Sequence, residues 1–207
     1  MKKILIATNN NGKFLEIAKL LESLEIQAVP ASSLNLIEPE ESAETFVENA
    51  FIKAKFYGDN AQILALADDS GLCIKDLENA PGVHSARYAL DKNGKKNFEL
   101  AFENIFAELK KKNIFSSQKP PAFFVCNLCL YDPKNNFTIN FEGRVDGYLT
   151  YPALGNEGFG YDPIFIKNGM NKTFGEIDST FKHQISHRAM AFLQLENWLK
   201  KNYNIFD

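Results

Sequence analysis

Two adjacent aspartates in the first third of the chain have the clearest potential for chemistry. Asp68 and Asp69 directly follow residues 63–67, an apolar run that predicts a buried strand. The carboxyl end of such a strand is where α/β enzymes place catalytic groups. Two carboxylates this close repel each other unless a cation neutralises them, and Mg²⁺ needs only one or two carboxylates beside phosphate oxygens and water. The pair predicts a Mg²⁺ site in preference to a solvated turn.

An amide-rich loop near the N-terminus is the second candidate. Six residues lie between an apolar run and an amphipathic segment: Thr8, Asn9, Asn10, Asn11, Gly12 and Lys13. Between a strand and a helix N-terminus, free backbone N–H groups and the helix dipole favour an anion. The Walker A pattern is excluded, because Ala7 and Phe14 stand where it needs Gly and Ser or Thr. The loop indicates either a phosphate site or a plain strand-to-helix turn, and both stay open.

A helix and the acidic loop before it could complete such a site. The pattern predicts a helix near residues 45–57, on which Asn49 and Lys53 are four apart and so share a face. Lys53 could reach a phosphate as a compact charge, or extend into water as most helical lysines do. The glutamates of residues 38–44 could supply another metal ligand, although most acidic loops are solvated.

The second half of the chain holds a candidate base site. Residues 155–163 place three glycines around two aromatic residues, with Asp162 beside them. Glycines let a flat ligand approach the backbone and an aromatic face can stack on a base, but a tight loop with its rings in the core fits equally well. Three later residues carry cationic or hydrogen-bonding groups suited to phosphate or a keto oxygen: Lys182, His187 and Arg188.

The elements that must position these residues follow an α/β pattern. Apolar periodicity predicts helices over residues 13–24, 45–57, 96–112 and 186–202, and strands over residues 2–8, 26–30, 63–67, 123–131 and 137–145. The middle of the chain is expected to be antiparallel β. Cys126 and Cys129 have C-x-x-C spacing, but side chains three apart on a strand point to opposite faces. Core packing is therefore the interpretation, rather than zinc or redox chemistry.

Composition restricts the partners. The 207 residues carry a net charge of −3, so the overall field repels polyanions and predicts no nucleic-acid partner. No apolar run approaches transmembrane length, which predicts no membrane partner. Three cysteines give no disulfide framework and fit a reducing compartment, the cytoplasm. A small anionic substrate stays possible, because local cations outweigh a weak global charge at contact distance.

Taken in order, six segments resemble the inosine triphosphate pyrophosphatase family, enzymes that hydrolyse non-standard purine nucleoside triphosphates. They are ATNNNGK at 7–13, TFVENA at 45–50 with Lys53, ADDSGL at 67–72, APG with SARY within 80–88, GFGYDP at 158–163 and ISHR at 185–188. The resemblance implies one domain over residues 1–207 with an elongated α/β mixed-sheet fold, two interleaved lobes and a substrate cleft between them. It also implies a homodimer. Two residues depart from the family pattern: Ala43 replaces a common glycine, and Phe181 a usual acid.

The resemblance also implies roles for single residues. The loop Thr8 to Lys13 would hold the triphosphate with Lys53, and Ser70 would touch substrate. Asp69 would bind Mg²⁺ and act as proton acceptor, with Glu41 as the favoured second ligand and Glu40 and Asp68 as further candidates. Base and phosphate contacts would come from Phe159, Gly160, Tyr161, Asp162, Lys182, His187 and Arg188.

The expected reaction is attack of water on the α-phosphorus of ITP, dITP or XTP, giving the monophosphate and pyrophosphate. Three alternatives stay open: a metal-dependent phosphatase, a pyrophosphatase for ordinary nucleotides, and a nucleotide-binding regulator without turnover.

Overall fold

The strands form one mixed sheet in the computed structural model, which describes residues 2–114 and 119–206. Their bounds are β1 (Lys3–Ile6), β2 (Gln27–Pro30), β3 (Ala65–Ile74), β4 (Pro121–Asp132), β5 (Phe137–Leu149) and β6 (Phe165–Lys167). The order across the sheet is β2-β1-β3-β4-β5-β6. Strand β1 pairs in parallel with β2 and β3, whereas β5 and β6 are antiparallel. The predicted α/β class with a mixed sheet is confirmed.

Helices separate and follow these strands. They are α1 (Asn11–Glu22), α2 (Phe46–Ala61), α3 (Ser85–Tyr88), α4 (Phe98–Lys111), α5 (Ser179–Ile185) and α6 (His187–Lys201). Asn10, Thr45 and Asn97 cap α1, α2 and α4, because each side chain accepts a hydrogen bond from an N–H of the first turn. Within the described residues, none of the helices combines the length and apolarity needed to cross a bilayer.

The described residues divide into two compact units, each assembled from separated segments. Unit 1 contains the residues up to Asp69, Cys126–Gly143 and the residues from Arg188 onward; unit 2 contains Ser70–Val125 and Arg144–His187. The predicted cleft between two lobes stays a prediction.

Unit 1 has an apolar cluster on each face of its sheet. Ile4 and Leu66 belong to a cluster that includes α1 and α6, whereas Leu5 and Ala67 belong to one that includes α2. The alternation of strand side chains produces this division. In unit 2, α4 packs with the aromatic rings of Phe124, Phe165 and Phe174 in one cluster. Each unit thus has its own buried core.

Strand β3 continues through the two aspartates. The prediction that the strand ends at Ala67 is wrong, because Asp68 and Asp69 are strand residues followed by five more. Successive side chains on a strand point to opposite faces, so the two carboxylates do too. The interpretation of Cys126 and Cys129 as core residues is confirmed, since both are buried free thiols in different apolar clusters.

Candidate active site

The first candidate loop is the turn from β1 into α1. The Asn10 N–H donates to Thr8 Oγ1 at 3.1 Å, which shapes the turn. Asn10 Oδ1 then accepts from the backbone N–H groups of Gly12 at 3.0 Å and Lys13 at 3.3 Å. Asn9 and Asn11 are exposed. The loop therefore lies at a helix N-terminus, as predicted, and its binding of phosphate stays a prediction.

Asp68 is fully buried among cationic and thiol donors on the face of α1 and α6. Its Oδ1 lies 2.5 Å from Lys13 Nζ. Its Oδ2 accepts from Arg188 Nε at 2.8 Å and from the Cys126 thiol at 3.0 Å. Burial acts to raise the pKa of Asp68, but Arg188 and Lys13 outweigh it and hold that pKa well below its usual range. This carboxylate stays ionised and fixed.

Arg188 lies between two carboxylates instead of at an open surface. Its guanidinium pairs with Asp68 through Nε and with Glu16 through Nη1, and only 2% of its side chain is exposed. Glu16 and Cys126 are therefore members of this network that the motifs do not include. Glu16 could have been found as an acid beside the apolar stripe of α1. The expected contact of Arg188 with substrate stays a prediction, which this burial does not favour.

Asp69 points to the face of α2, where a buried lysine gathers three oxygens. Lys53 Nζ lies 3.2 Å from Asp69 Oδ1, donates to the Asp68 carbonyl at 2.8 Å, and contacts Glu41 Oε1. Burial acts to lower the pKa of Lys53, but Asp69 and Glu41 outweigh it and raise that pKa above its usual value. The Lys53 ammonium is thus held in its charged form and brings the two carboxylates together.

The remaining oxygen of Asp69 fits a role in metal binding or proton transfer. Asp69 Oδ2 is buried and has no hydrogen-bond partner. Burial raises the pKa of Asp69 above its ordinary value. Mg²⁺ takes oxygen ligands and completes its shell with water and phosphate, so Asp69 and Glu41 suit it. No group of three or more His, Cys, Asp or Glu side chains suited to a metal occurs among residues 2–114 and 119–206.

The other two candidate ligands differ from this pair. Both oxygens of Asp68 contact donors on the opposite face of β3, so one cation shared by both aspartates does not fit the geometry. Glu40 is exposed. Metal binding by Asp68 or Glu40 stays a prediction that these positions do not favour.

Unit 2 contains the second group of predicted site residues. Asp162 Oδ2 accepts from the backbone N–H of Phe159 at 2.8 Å and pairs with Lys182 Nζ at 2.6 Å. Lys182 Nζ also lies 4.7 Å from the centroid of the Phe159 ring. Asp162 and Lys182 are each 2% exposed. One carboxylate oxygen thus fixes both the loop backbone and the ammonium.

The other predicted residues of unit 2 have packing partners. The Tyr161 hydroxyl donates to the Ser85 carbonyl at 2.8 Å, and its ring is buried against Phe98. The His187 ring stacks on Phe124 with centroids 4.7 Å apart. Ser70 and Gly160 are half-buried. Tyr161 therefore anchors the loop in the core, the alternative that the sequence leaves open.

Gly158 tests how closely this loop is packed. Its φ is +71°, and a Cβ there would collide with the Asp162 carboxylate, whereas Gly94 has φ +73° and open space around it. Alanine at either position is destabilised by the left-handed backbone, but only Gly158→Ala adds a clash with the Asp162 carboxylate. We expect Gly158→Ala to lower the free energy of unfolding by about 1–3 kcal/mol more than Gly94→Ala, measured by chemical denaturation. Equal losses would show that the carboxylate moves aside freely.

Comparison with known proteins gives close matches over nearly the whole chain. A model of the Ham1 family matches residues 4–198. The dITP/XTP pyrophosphatase of Zymomonas mobilis is 42% identical over 193 residues, covering 93% of this chain and 90% of that protein. The dITP/XTP pyrophosphatase of Caulobacter vibrioides is 43% identical over 194 residues, covering 94% of this chain and 96% of that protein.

Solved structures match as well. The HAM1 protein from Coxiella burnetii superposes with a TM-score of 0.85 at 36% identity, covering 97% of this chain and 100% of that chain. The Ham1 protein of Staphylococcus aureus superposes with a TM-score of 0.82 at 32% identity, covering 97% of this chain and 99% of that chain.

Proposed function

The chain belongs to the Ham1 family, and from this membership we propose that it hydrolyses ITP, dITP and XTP to the monophosphate and pyrophosphate. Its relatives named dITP/XTP pyrophosphatase support the substrate class. The observation that carries the chemistry is the buried Lys53 ammonium, which gathers Glu41 and Asp69 while Asp69 Oδ2 has no hydrogen-bond partner. The protein is thus a hydrolase that removes non-standard purine nucleotides from the pool.

We propose Asp69 and Glu41 as the residues that would hold Mg²⁺. When bound, the ion would neutralise phosphate charge and favour the departure of pyrophosphate. Asp69 Oδ2 accepts a proton from the attacking water as the water oxygen bonds to the α-phosphorus. The bond from that phosphorus to the α–β bridging oxygen breaks, and pyrophosphate leaves with that oxygen. A general base must lie within hydrogen-bond reach of the proton that it takes, and Asp69 Oδ2 has no competing hydrogen-bond partner. Lys53 fixes the orientation of both carboxylates.

The phosphate-binding role is proposed for the loop Thr8 to Lys13, and the base-binding role for Phe159, Asp162 and Lys182. Lys182 would donate to the 6-keto oxygen shared by hypoxanthine and xanthine. Adenine presents a 6-amino donor at that position, so one N–H of the ammonium would lose its acceptor while Asp162 kept its own contact. A buried N–H left without an acceptor costs about 1–3 kcal/mol, which corresponds to about 10- to 100-fold discrimination.

Two further proposals concern the cellular location and the oligomeric state of the enzyme. A cytoplasmic location is supported by Cys73, Cys126 and Cys129, which are all free thiols. A homodimer is supported by neighbouring apolar side chains on α6, where Met190 is 39% and Leu193 is 57% exposed. Sedimentation at micromolar concentration measures the oligomeric state, and a monomer would contradict the dimer.

One assay tests the reaction. We expect purified protein with Mg²⁺ to release pyrophosphate from ITP, dITP and XTP at least about tenfold faster than from ATP, as one mismatched donor implies. Orthophosphate as the product would contradict cleavage next to the α-phosphorus, and equal rates on ATP would contradict the base site. Binding without products would favour a nucleotide-binding regulator.

A further inference from the structure

Asn49 ties α2 to the acidic loop that precedes it. Its Oδ1 accepts from the Ala43 backbone N–H at 3.0 Å, and its Nδ2 donates to the Ala43 carbonyl at 3.1 Å. The Asn49 side chain is fully buried. One amide side chain thus satisfies both polar backbone groups of a single loop residue, as a strand partner would. We call this pair of hydrogen bonds the Ala43 clamp.

The clamped loop has little regular structure to hold its shape. Residues 36–43 contain no helix or strand. Within this segment the Ser42 N–H donates to the Glu40 carbonyl at 3.1 Å. Glu41, two residues before Ala43, has its carboxylate on Lys53 Nζ. The position of Glu41 therefore depends on how the backbone at Ala43 is fixed.

Asn49 and Lys53 hold the loop from successive turns of one helix. Residues four apart on a helix lie one above the other, so the clamp and the Lys53 ammonium act on the same side of α2. Asn49 fixes the backbone of the loop, and Lys53 fixes the side chain of Glu41 beside Asp69. A loop held at only one of these points would let the Glu41 carboxylate move away from Asp69.

We propose that Asn49 is a positioning residue that keeps Glu41 beside Asp69 in the geometry required by a divalent cation. The proposal rests on the proposed function of this pair as the cation site. Asn49 directs both of its hydrogen bonds to the Ala43 backbone and would act on the cation only through the loop. Its expected signature is weaker cation binding with a turnover number that recovers when the cation is saturating, because the ligands remain present and only their arrangement is lost.

The test compares Asn49→Leu and Asn49→Ser with the unaltered protein. Leucine has about the volume of asparagine and removes both hydrogen bonds to Ala43. Serine is too short to make both hydrogen bonds but stays polar, so it serves as the second variant if leucine impairs folding. Both variants should exchange the Ala43 amide hydrogen at least about tenfold faster, measured by NMR in the absence of cation and nucleotide. Both should bind Mn²⁺ alone about tenfold more weakly, measured from the EPR signal of free Mn²⁺.

Asn60→Ala is the matched control. Asn60 lies on the same helix, and its Nδ2 donates to the Phe56 carbonyl at 2.8 Å, away from the acidic loop. This control should leave Ala43 exchange and Mn²⁺ affinity unchanged. Unchanged Ala43 exchange in the Asn49 variants would overturn the clamp, and unchanged Mn²⁺ affinity with faster exchange would overturn the positioning role. Neither readout requires turnover, so failure of the proposed reaction would appear separately, as a wild-type protein that releases no pyrophosphate.

Discussion

Replacing Asp69 by Asn is expected to lower kcat for pyrophosphate release from dITP by about 10²- to 10⁴-fold, the range for loss of a general base. The amide has the size of the carboxylate but cannot accept the proton of the attacking water. Lys53 would keep its contacts with Glu41 and with the Asp68 carbonyl, so the fold should persist. Initial rates at saturating Mg²⁺, together with a thermal unfolding curve, measure both effects.

Asp59→Asn is the control for this experiment. Asp59 is an exposed carboxylate on the same helix as Lys53, and its Oδ2 accepts from Lys55 Nζ at 2.7 Å. Its replacement should leave the rate of pyrophosphate release unchanged. An Asp69→Asn variant that keeps more than about a tenth of the wild-type rate would contradict the role of Asp69 as the base, since proton transfer contributes more than that.

Replacing Arg188 by Met is expected to lower the free energy of unfolding by about 3–5 kcal/mol, the cost of leaving buried charges without their partner. Methionine fills most of the volume of the arginine stem but cannot pair with Glu16 or Asp68. Lys13 would still contact Asp68, so most of the uncompensated charge would be that of Glu16. Denaturation by urea measures the loss.

Two further variants separate charge from packing. Arg144→Met removes an arginine whose pair with Asp146 is about half exposed, so its cost should stay below about 1 kcal/mol. Adding Glu16→Gln to Arg188→Met should recover part of the lost stability, because it removes the buried charge that loses its contact with Arg188. Equal losses for Arg188→Met and Arg144→Met would show that the buried network contributes nothing beyond a surface pair.

Periodicity predicts most of the fold, and the errors have local causes. The predicted helix over residues 13–24 is α1 shifted by two residues, because the Asn10 cap starts the helix at Asn11 despite the weak helix preference of Asn and Gly. Helix α5 was not predicted, since seven mostly polar residues give almost no periodic signal. An extended Ser186 separates it from α6.

The sequence predicts which residue types form the candidate site, but it does not predict which of these side chains contact each other. Helical spacing places Asn49 and Lys53 on one face, yet no spacing reveals that Lys53 meets Glu41 and Asp69. The partners of Arg188 lie 120 and 172 residues away along the chain. Such long-range ion pairs depend on the sheet order and helix packing, which local patterns do not encode. The prediction that β3 ends at Ala67 is wrong for the same reason, because Asp68 and Asp69 each pair with a cation that lies far away along the chain.

The register of β3 against β1 limits how sequences of this kind can diverge. Leu5 aligns with Ala65 and Ile6 with Leu66 across the parallel strands, and this alignment decides which aspartate faces Lys13 and which faces Lys53. Deleting or inserting one residue just before Asp68 would exchange the two environments and deliver the wrong carboxylate to each lysine. A point substitution at either aspartate alters one network, whereas a gap of one residue would dismantle both networks at once.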